Sequence, residues 1–371
     1  MDRQKLFNWS LKAFLFLSPI FLFRNYSAVA ARSMFFVLGS FALFAIALGL
    51  EPKRKFSDKW VSLLLILAFI RMFFDNDSSS GEWFNFWMSC AGFIYVFCGV
   101  LLFYLVYTYA DQVKNYLKPI LCVCIFNILL ATAQIFNYDF LWANTPGICG
   151  FMEMPAQLGQ YSAMSLPILF FIHPALAILP LFTLFASKAI SPIVALFLGI
   201  VILSFQLKKK NVIIVLLVLL FGLGVIFSNY LSIKWYTRPI MWKRTMVSAL
   251  KKPYLGWGYR SFNRVVIDDT LADSLGTTTP AKAYNDYLHT AQELGFPILL
   301  AIGAFFINLF KKFLAIKKSR LIYCLFASVI IVLINMLGQP FIRHASVAGT
   351  FVILLAFLCI EIESKVENGK N

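Results

Sequence analysis

RPIMWKRTMVSALKKPYLGWGYRSF (residues 238–262) and TPAKAYNDYLHTAQELGF (residues 279–296) are the two ends of the one long polar interval in an otherwise apolar chain. An acidic and Thr-rich stretch joins them. The segments on either side read as membrane spans, so this interval sits outside the bilayer as a lid or platform. The rest of the chain is then expected to anchor that platform over a lipid-facing cavity.

Composition supports this reading. Of 371 residues, 60% are hydrophobic and 13% are charged, where a soluble domain carries nearer a quarter charged residues. Uncharged runs recur throughout, and period-two alternation is absent, which favours helices over a β-barrel. The formal charge of +16 lies mostly in short loops, where Lys and Arg set topology. Nucleic acid is therefore not an expected partner, whereas membrane lipids are. Among the seven cysteines only Cys149 falls in a loop, and Cys122 and Cys124 point to different sides of one helix. Neither a disulfide framework nor a metal site follows. The N-terminus lacks a small-residue cleavage site after its first apolar run, so it reads as a span and not as a cleaved signal.

About twelve candidate spans follow, near 7–23, 29–50, 59–74, 83–109, 116–136, 157–172, 174–187, 190–206, 211–229, 296–310, 321–339 and 345–362. Pro167, Pro174 and Pro180 are expected to break the sixth and seventh into short pieces, tolerable where helices line a cavity. The loops at 51–58, 110–115, 207–210 and 311–320 are basic, and they alternate with acidic or neutral loops at 75–82 and 137–156. The positive-inside rule then puts both termini in the cytoplasm and the long loop on the outer side. Arg24, Glu153, Lys188, residues 230–295, Arg343 and His344 share that outer side, and His173 falls near the cytoplasmic one.

Within the platform, Arg238-Pro239 predicts a helix start and Pro253 its stop. Trp242, Met246, Ala249 and Leu250 form its apolar stripe. Gly256-Trp257-Gly258 predicts a tight turn with close backbone approach. Thr279-Pro280 predicts a second helix that ends at Gly295. On it Asn285, His289 and Glu293 share one face at i, i+4, i+8. Basic side chains outnumber acidic ones by about two to one over 230–295. Such a surface suits a lipid-borne anion such as a pyrophosphate, which Arg grips bidentately; contact with anionic headgroups alone is the plainer alternative.

The Arg-x-x-x-Trp of Arg238–Trp242, then KKPYLGWGYRSF, then YNDYLHTAQELGF, resembles the core of the O-antigen ligase and O-antigen polymerase superfamily. GFMEMPAQLGQYSAMSLPILF (150–170) and SKAISPIVAL (187–196) resemble its upstream segments, so the likeness is ordered over roughly 147–300. The resemblance implies an enzyme at the outer face of the inner membrane. It would move a glycan from an undecaprenyl-pyrophosphate carrier to an acceptor hydroxyl without a metal or other cofactor. Arginines would hold the leaving pyrophosphate, and a loop histidine would activate the acceptor.

Carried over residue by residue, Arg238 matches the pyrophosphate-binding arginine and Lys188 stands where the family has Arg, with the charge but not the fork. Arg244 and Arg343 are further candidates for the pyrophosphate. Asn285 and Gly295 match the family spacing, but the histidine position is Tyr284, and tyrosine, with a reference pKa of about 10, is a poor base at neutral pH. Ile298 replaces a later family glycine. His289 is the nearest imidazole, able to serve as base or to bond to Asn285 or Glu293. Glu153 and Glu293 are candidate acceptor-binding carboxylates or bases.

The expected fold is thus an all-α polytopic membrane protein. Residues 1–229 hold spans one to nine, 230–295 the periplasmic catalytic loop with two short helices, and 296–371 spans ten to twelve with a cytoplasmic tail. The expected function is O-antigen ligase-like transfer to lipid A core. Polymerisation onto a growing glycan is the alternative within the superfamily, disfavoured by the compact chain and short platform. A transporter, or a non-catalytic binder of lipid-linked glycan, is the alternative of another class.

Overall fold

A computed structural model describes residues 2–20, 28–55, 58–72, 82–138, 147–152, 154–204, 237–259, 261–266 and 283–368. These residues form helices and connections, with no β-strand among them. In chain order the α-helices are α1 (Arg3–Ile20), α2 (Ala28–Ala47), α3 (Lys59–Met72), α4 (Glu82–Tyr109), α5 (Leu117–Ile135), α6 (Pro155–Ile172), α7 (Ile178–Ala186) and α8 (Ile190–Ser204). They continue with α9 (Thr237–Lys251), α10 (Phe262–Val266), α11 (Asp286–Leu294), α12 (Phe296–Ala315), α13 (Arg320–Asn335) and α14 (Ala345–Asn368). Uncharged apolar runs favour helices because a helix satisfies its own backbone polar groups where no water is available.

Four described segments are long and apolar enough to cross a bilayer: Gly92–Tyr109, Val113–Ile135, Phe296–Ala315 and Val347–Glu367. Arg32–Ala47, Pro174–Ala186, Ile190–Ile200 and Arg320–Asn335 are shorter apolar helices. Leu48, Leu129, Leu300 and Ile307 are 59–72% exposed on outward faces, as lipid-facing side chains would be. The chain is a multi-pass membrane protein. The ninth stretch read as a span, 211–229, and the loop residue Arg24 lie outside the described residues.

Two helices form the centre. α14 packs against α4, α13, α1 and α2. α6 packs against α13, α7, α8 and α5, and every residue from Gln157 to Leu169 is buried. That enclosure accounts for one departure from expectation: Pro167 sits inside α6 without ending it. Pro174 begins a 3₁₀ turn, Pro174–Ala177, ahead of α7. α12 also runs further than its apolar sequence, taking in Lys311 and Lys312 that read as loop.

The ends of the bundle differ. At one end Lys53 pairs with Asp111, Gln4 donates to the Tyr109 carbonyl (3.0 Å), and Arg54 donates to the Ala110 carbonyl (3.0 Å). The Tyr107 hydroxyl and Lys312 both reach Glu363 near the end of α14. The N-terminus, residues 51–55 and 109–111, the end of α12 and the C-terminal end of α14 therefore gather together. Ala345, where α14 begins, is eighteen residues from Glu363, about 27 Å along the axis and close to the bilayer's hydrocarbon thickness of about 30 Å. The polar platform lies at that opposite end.

There the segment 253–258 wraps the C-terminus of α11. The backbone N–H groups of Trp257 and Gly258 donate to the Gln292 (2.8 Å) and Glu293 (2.9 Å) carbonyls, and Phe296 N–H donates to the Pro253 carbonyl (2.8 Å). The first two bonds satisfy helix-end carbonyls that have no partner within α11. Gly256 has φ +65°, and a Cβ there would lie 2.5 Å from the Glu293 backbone. Gly256→Ala is expected to lower stability by at least about 2 kcal/mol through the left-handed backbone and the clash. Gly303→Ala, in open space on α12, is expected to be neutral or slightly stabilising. Thermal unfolding of the two variants in detergent checks this.

Candidate active site

The nine residues between α13 and α14, Met336 to His344, form the floor on which the platform rests. The Met336 carbonyl accepts from Asp286 N–H at 2.8 Å. The Gly338 carbonyl accepts from Arg238 Nη1 at 3.1 Å, and the Pro340 carbonyl from Gln160 Nε2 at 3.4 Å. Phe341 and Ile342 N–H groups donate to Asp286 Oδ2 at 2.5 and 2.9 Å. His344 Nδ1 lies 2.7 Å from Gln157 Nε2; with the amide donating, Nδ1 is the acceptor.

Above this floor α11 carries a buried charged network. Arg343 Nη1 is 2.9 Å from Glu293 Oε2, and its Nε is 3.6 Å from Asp286 Oδ1. The other Glu293 oxygen lies 3.1 Å from His289 Nε2. Asp286, His289 and Glu293 are each at most 3% exposed. Burial pushes the Glu293 carboxyl up, but the Arg343 guanidinium, with His289 second, overcomes it and holds the pKa at about 2. The Glu293 carbonyl also accepts from Arg71 Nε of α3 at 3.4 Å, a cation at a helix C-terminus where the dipole favours it. Phe262 packs on His289, ring centroids 4.5 Å apart.

α11 starts later than Thr279-Pro280 predicts. Asn285 is its N-cap, with the side chain accepting from Leu288 N–H at 3.0 Å, and Tyr284 before it has φ +52°. Tyr284 is therefore not on the helix, and His289 is not related to it by rotation about one axis. Residues 267–282, with the predicted cap, lie outside the described residues. α9 starts and stops where expected, yet its buried face is Met241, Thr245, Ser248 and Ala249; Met246 and Leu250 of the predicted stripe are exposed.

The candidates fall into three groups. Arg238, Tyr284, Asn285, His289, Glu293 and Arg343 meet around α11 and its floor, and the Arg238 guanidinium stacks over the Tyr284 ring, 5.4 Å from its centroid. Lys188 is exposed in the turn before α8. Three residues on, Ser191 Oγ donates to Asn335 Oδ1 at 2.8 Å, and a Cβ at Gly338 would sit 2.7 Å from that hydroxyl. The start of α8 and Arg238 thus both approach Gly338. Arg244 lies six residues along α9 from Arg238, about 120° round the axis, so the two arginines leave by different faces. Glu153 lies outside the described residues.

Among the described residues, the non-glycine positions with positive φ are Asn137, Lys188 and Tyr284. Two of the three are candidate site residues, and strain of this kind clusters at functional sites. The sequence reading missed Asp286 and the two α6 glutamines. An acid directly after the N-cap, favoured by the helix dipole, was the available signal for Asp286.

Residues 175–303 match the model of the family described as O-Antigen ligase. The match spans about a third of the chain. The match supports the ligase and polymerase superfamily whose core motifs the chain resembles, and members of the family are glycosyltransferase-like enzymes. The matched domain includes Lys188, Arg238, Tyr284, Asn285, His289 and Glu293; Arg343 and the floor lie beyond it. No curated protein matches the chain.

Proposed function

We propose that this is a twelve-span inner-membrane glycosyltransferase with both termini cytoplasmic and its platform on the periplasmic face. It transfers a glycan from undecaprenyl pyrophosphate to an acceptor hydroxyl, lipid A core in the ligase form of the reaction. The observation that carries the reading is Arg238, which lies in the matched region 175–303 and is held between the Gly338 carbonyl and the strained Tyr284. The acceptor oxygen attacks the anomeric carbon. The bond to the pyrophosphate oxygen breaks, and undecaprenyl pyrophosphate departs with the electron pair. Arg238 and Lys188 stabilise the charge that builds there, and His289, oriented by Glu293, takes the acceptor's proton. Arg343 already faces two carboxylates, so it is assigned to holding Glu293 and Asp286 in place.

The test is purified protein in detergent with undecaprenyl-pyrophosphate glycan and a panel of acceptors, with products read by mass spectrometry. One block moved to lipid A core means ligase; growth on the carrier means polymerase. Transfer seen only after Tyr284→His would make the native chain a binder and sink the reading. EDTA is expected to leave transfer unchanged. His289→Gln keeps a hydrogen-bonding side chain beside Glu293 but removes the base. Transfer is expected to fall about 10²–10⁴-fold, with thermal unfolding preserved. An unchanged rate would reduce His289 to a packing group.

A further inference from the structure

α9 turns one face inward, onto α10 and α11, through Met241, Thr245, Ser248 and Ala249. Its opposite face carries Ile240 (47% exposed), Met246 (38%), Val247 (48%) and Leu250 (60%), and the patch runs on into Tyr254 (78%) and Leu255 (37%). At 100° per residue these four helical positions fill one sector of roughly 120°. Lys243 lies within that sector, and Arg244 and Lys251 border it. The inward face thus mixes Met241 and Ala249 with Thr245 and Ser248, while four large apolar side chains are left on the outward face. A contiguous apolar patch of this kind marks a contact surface.

What it contacts follows from where it is tied. Pro253 accepts from the N–H of Phe296, the first residue of α12. The next residue's carbonyl, that of Tyr254, lies 2.2 Å from where a Gly295 Cβ would be, so the two backbones touch. α12 is long and apolar enough to cross the bilayer, so the end of the α9 patch sits at the level where α12 enters it. An apolar stripe studded with cations and followed by an exposed Tyr is the pattern of a helix lying in the plane of the interface.

We propose that α9 is an interfacial helix. Ile240, Met246, Val247 and Leu250 insert into the leaflet on the platform side, and Lys243, Arg244 and Lys251 lie among headgroup phosphates. Lys243 reaches up by snorkelling. The first turn of α9, with Arg238, is thereby held at phosphate depth. The membrane contact stands independently of the transfer reading; its use in fixing Arg238 at the depth of a carrier pyrophosphate rests on that reading.

The test places bimane at Leu250→Cys, and separately at Lys317→Cys in the exposed loop at the other end. The background is Cys90→Ser and Cys122→Ser, and the protein is reconstituted in phosphatidylglycerol and phosphatidylethanolamine vesicles. Shallow spin-labelled lipid is expected to quench the Leu250 probe at least about twofold more than the Lys317 probe, in keeping with insertion of about 5–10 Å. Aqueous iodide is expected to show the reverse order. Iodide quenching at Leu250 equal to that at Lys317 overturns the proposal, as does protection from both quenchers, which would mean that protein, such as a second copy, covers the face. Val247→Asp/Leu250→Asp, checked for unchanged thermal unfolding, is expected to cut transfer from carrier in vesicles about tenfold while sparing transfer in detergent. Equal rates in vesicles overturn the role in setting Arg238's depth. Should the wild type transfer nothing in either medium while the quenching pattern holds, the transfer reading fails and the interfacial helix stands.

Discussion

Arg238→Ala is expected to reduce glycan transfer by about 10²–10³-fold, the usual cost of removing one preorganised donor from a site of developing charge. The side chain is largely withdrawn from water, and burial lowers its pKa, with Tyr284 opposing the change. A partly desolvated cation gains more from a pyrophosphate than one on an open surface does. The Tyr284 ring and the Gly338 carbonyl fix the plane of the guanidinium, which leaves it ordered before the carrier arrives. Arg238→Lys keeps the charge and loses the planar fork, so an intermediate rate is expected. Initial rates at saturating carrier, beside thermal unfolding, make the check. A variant that folds normally and transfers at the wild-type rate would remove Arg238 from the mechanism.

Arg343→Ala is expected to cost about 3–5 kcal/mol of stability, because it leaves Glu293 and Asp286 buried with their shared cation gone. The pH dependence gives this a sign. Glu293 is held at about 2, below its ordinary value of 4.5. Its pairing therefore contributes full stability above that ordinary value, and the contribution is lost as pH falls through about 2. In Arg343→Ala the main opposition to burial disappears, so the carboxyl protonates at a higher pH. The gap between wild type and variant should be wide at pH 7 and narrow as the medium is acidified toward pH 4. Arg343→Met/Glu293→Gln, which removes both charges, should recover part of the loss. A gap that stays constant from pH 7 to pH 4 would show that the pair does not carry the stability assigned to it.

Hydropathy alone located most of the described helices, and proline positions bounded α9. The site was only half visible. Arg238, Tyr284 and Asn285 stood out because local motifs mark them. Asp286 did not, because its partners at Phe341 and Ile342 are 55 and 56 residues away and no local pattern links them. The start of α11 was misread because Thr-Pro is a strong local cap signal, whereas the observed start depends on the left-handed Tyr284. The inward face of α9 was not legible, for a different reason. Hydropathy marks a stripe without saying which side of the helix the protein covers, and here Ala249 of the stripe is buried while Met246 and Leu250 are exposed.

The connection between α13 and α14 has a consequence for how the gene would tolerate length changes. Loops are ordinarily where chains accept insertions. This one offers three carbonyls and two N–H groups to α11, α9 and α6, and its last two side chains are engaged as well. A transposon scan that drops a few residues between Met336 and His344 should therefore recover few functional clones. The same insert at Lys317 or Lys318, at the opposite end of α13, should pass. In this chain the loop behaves like core.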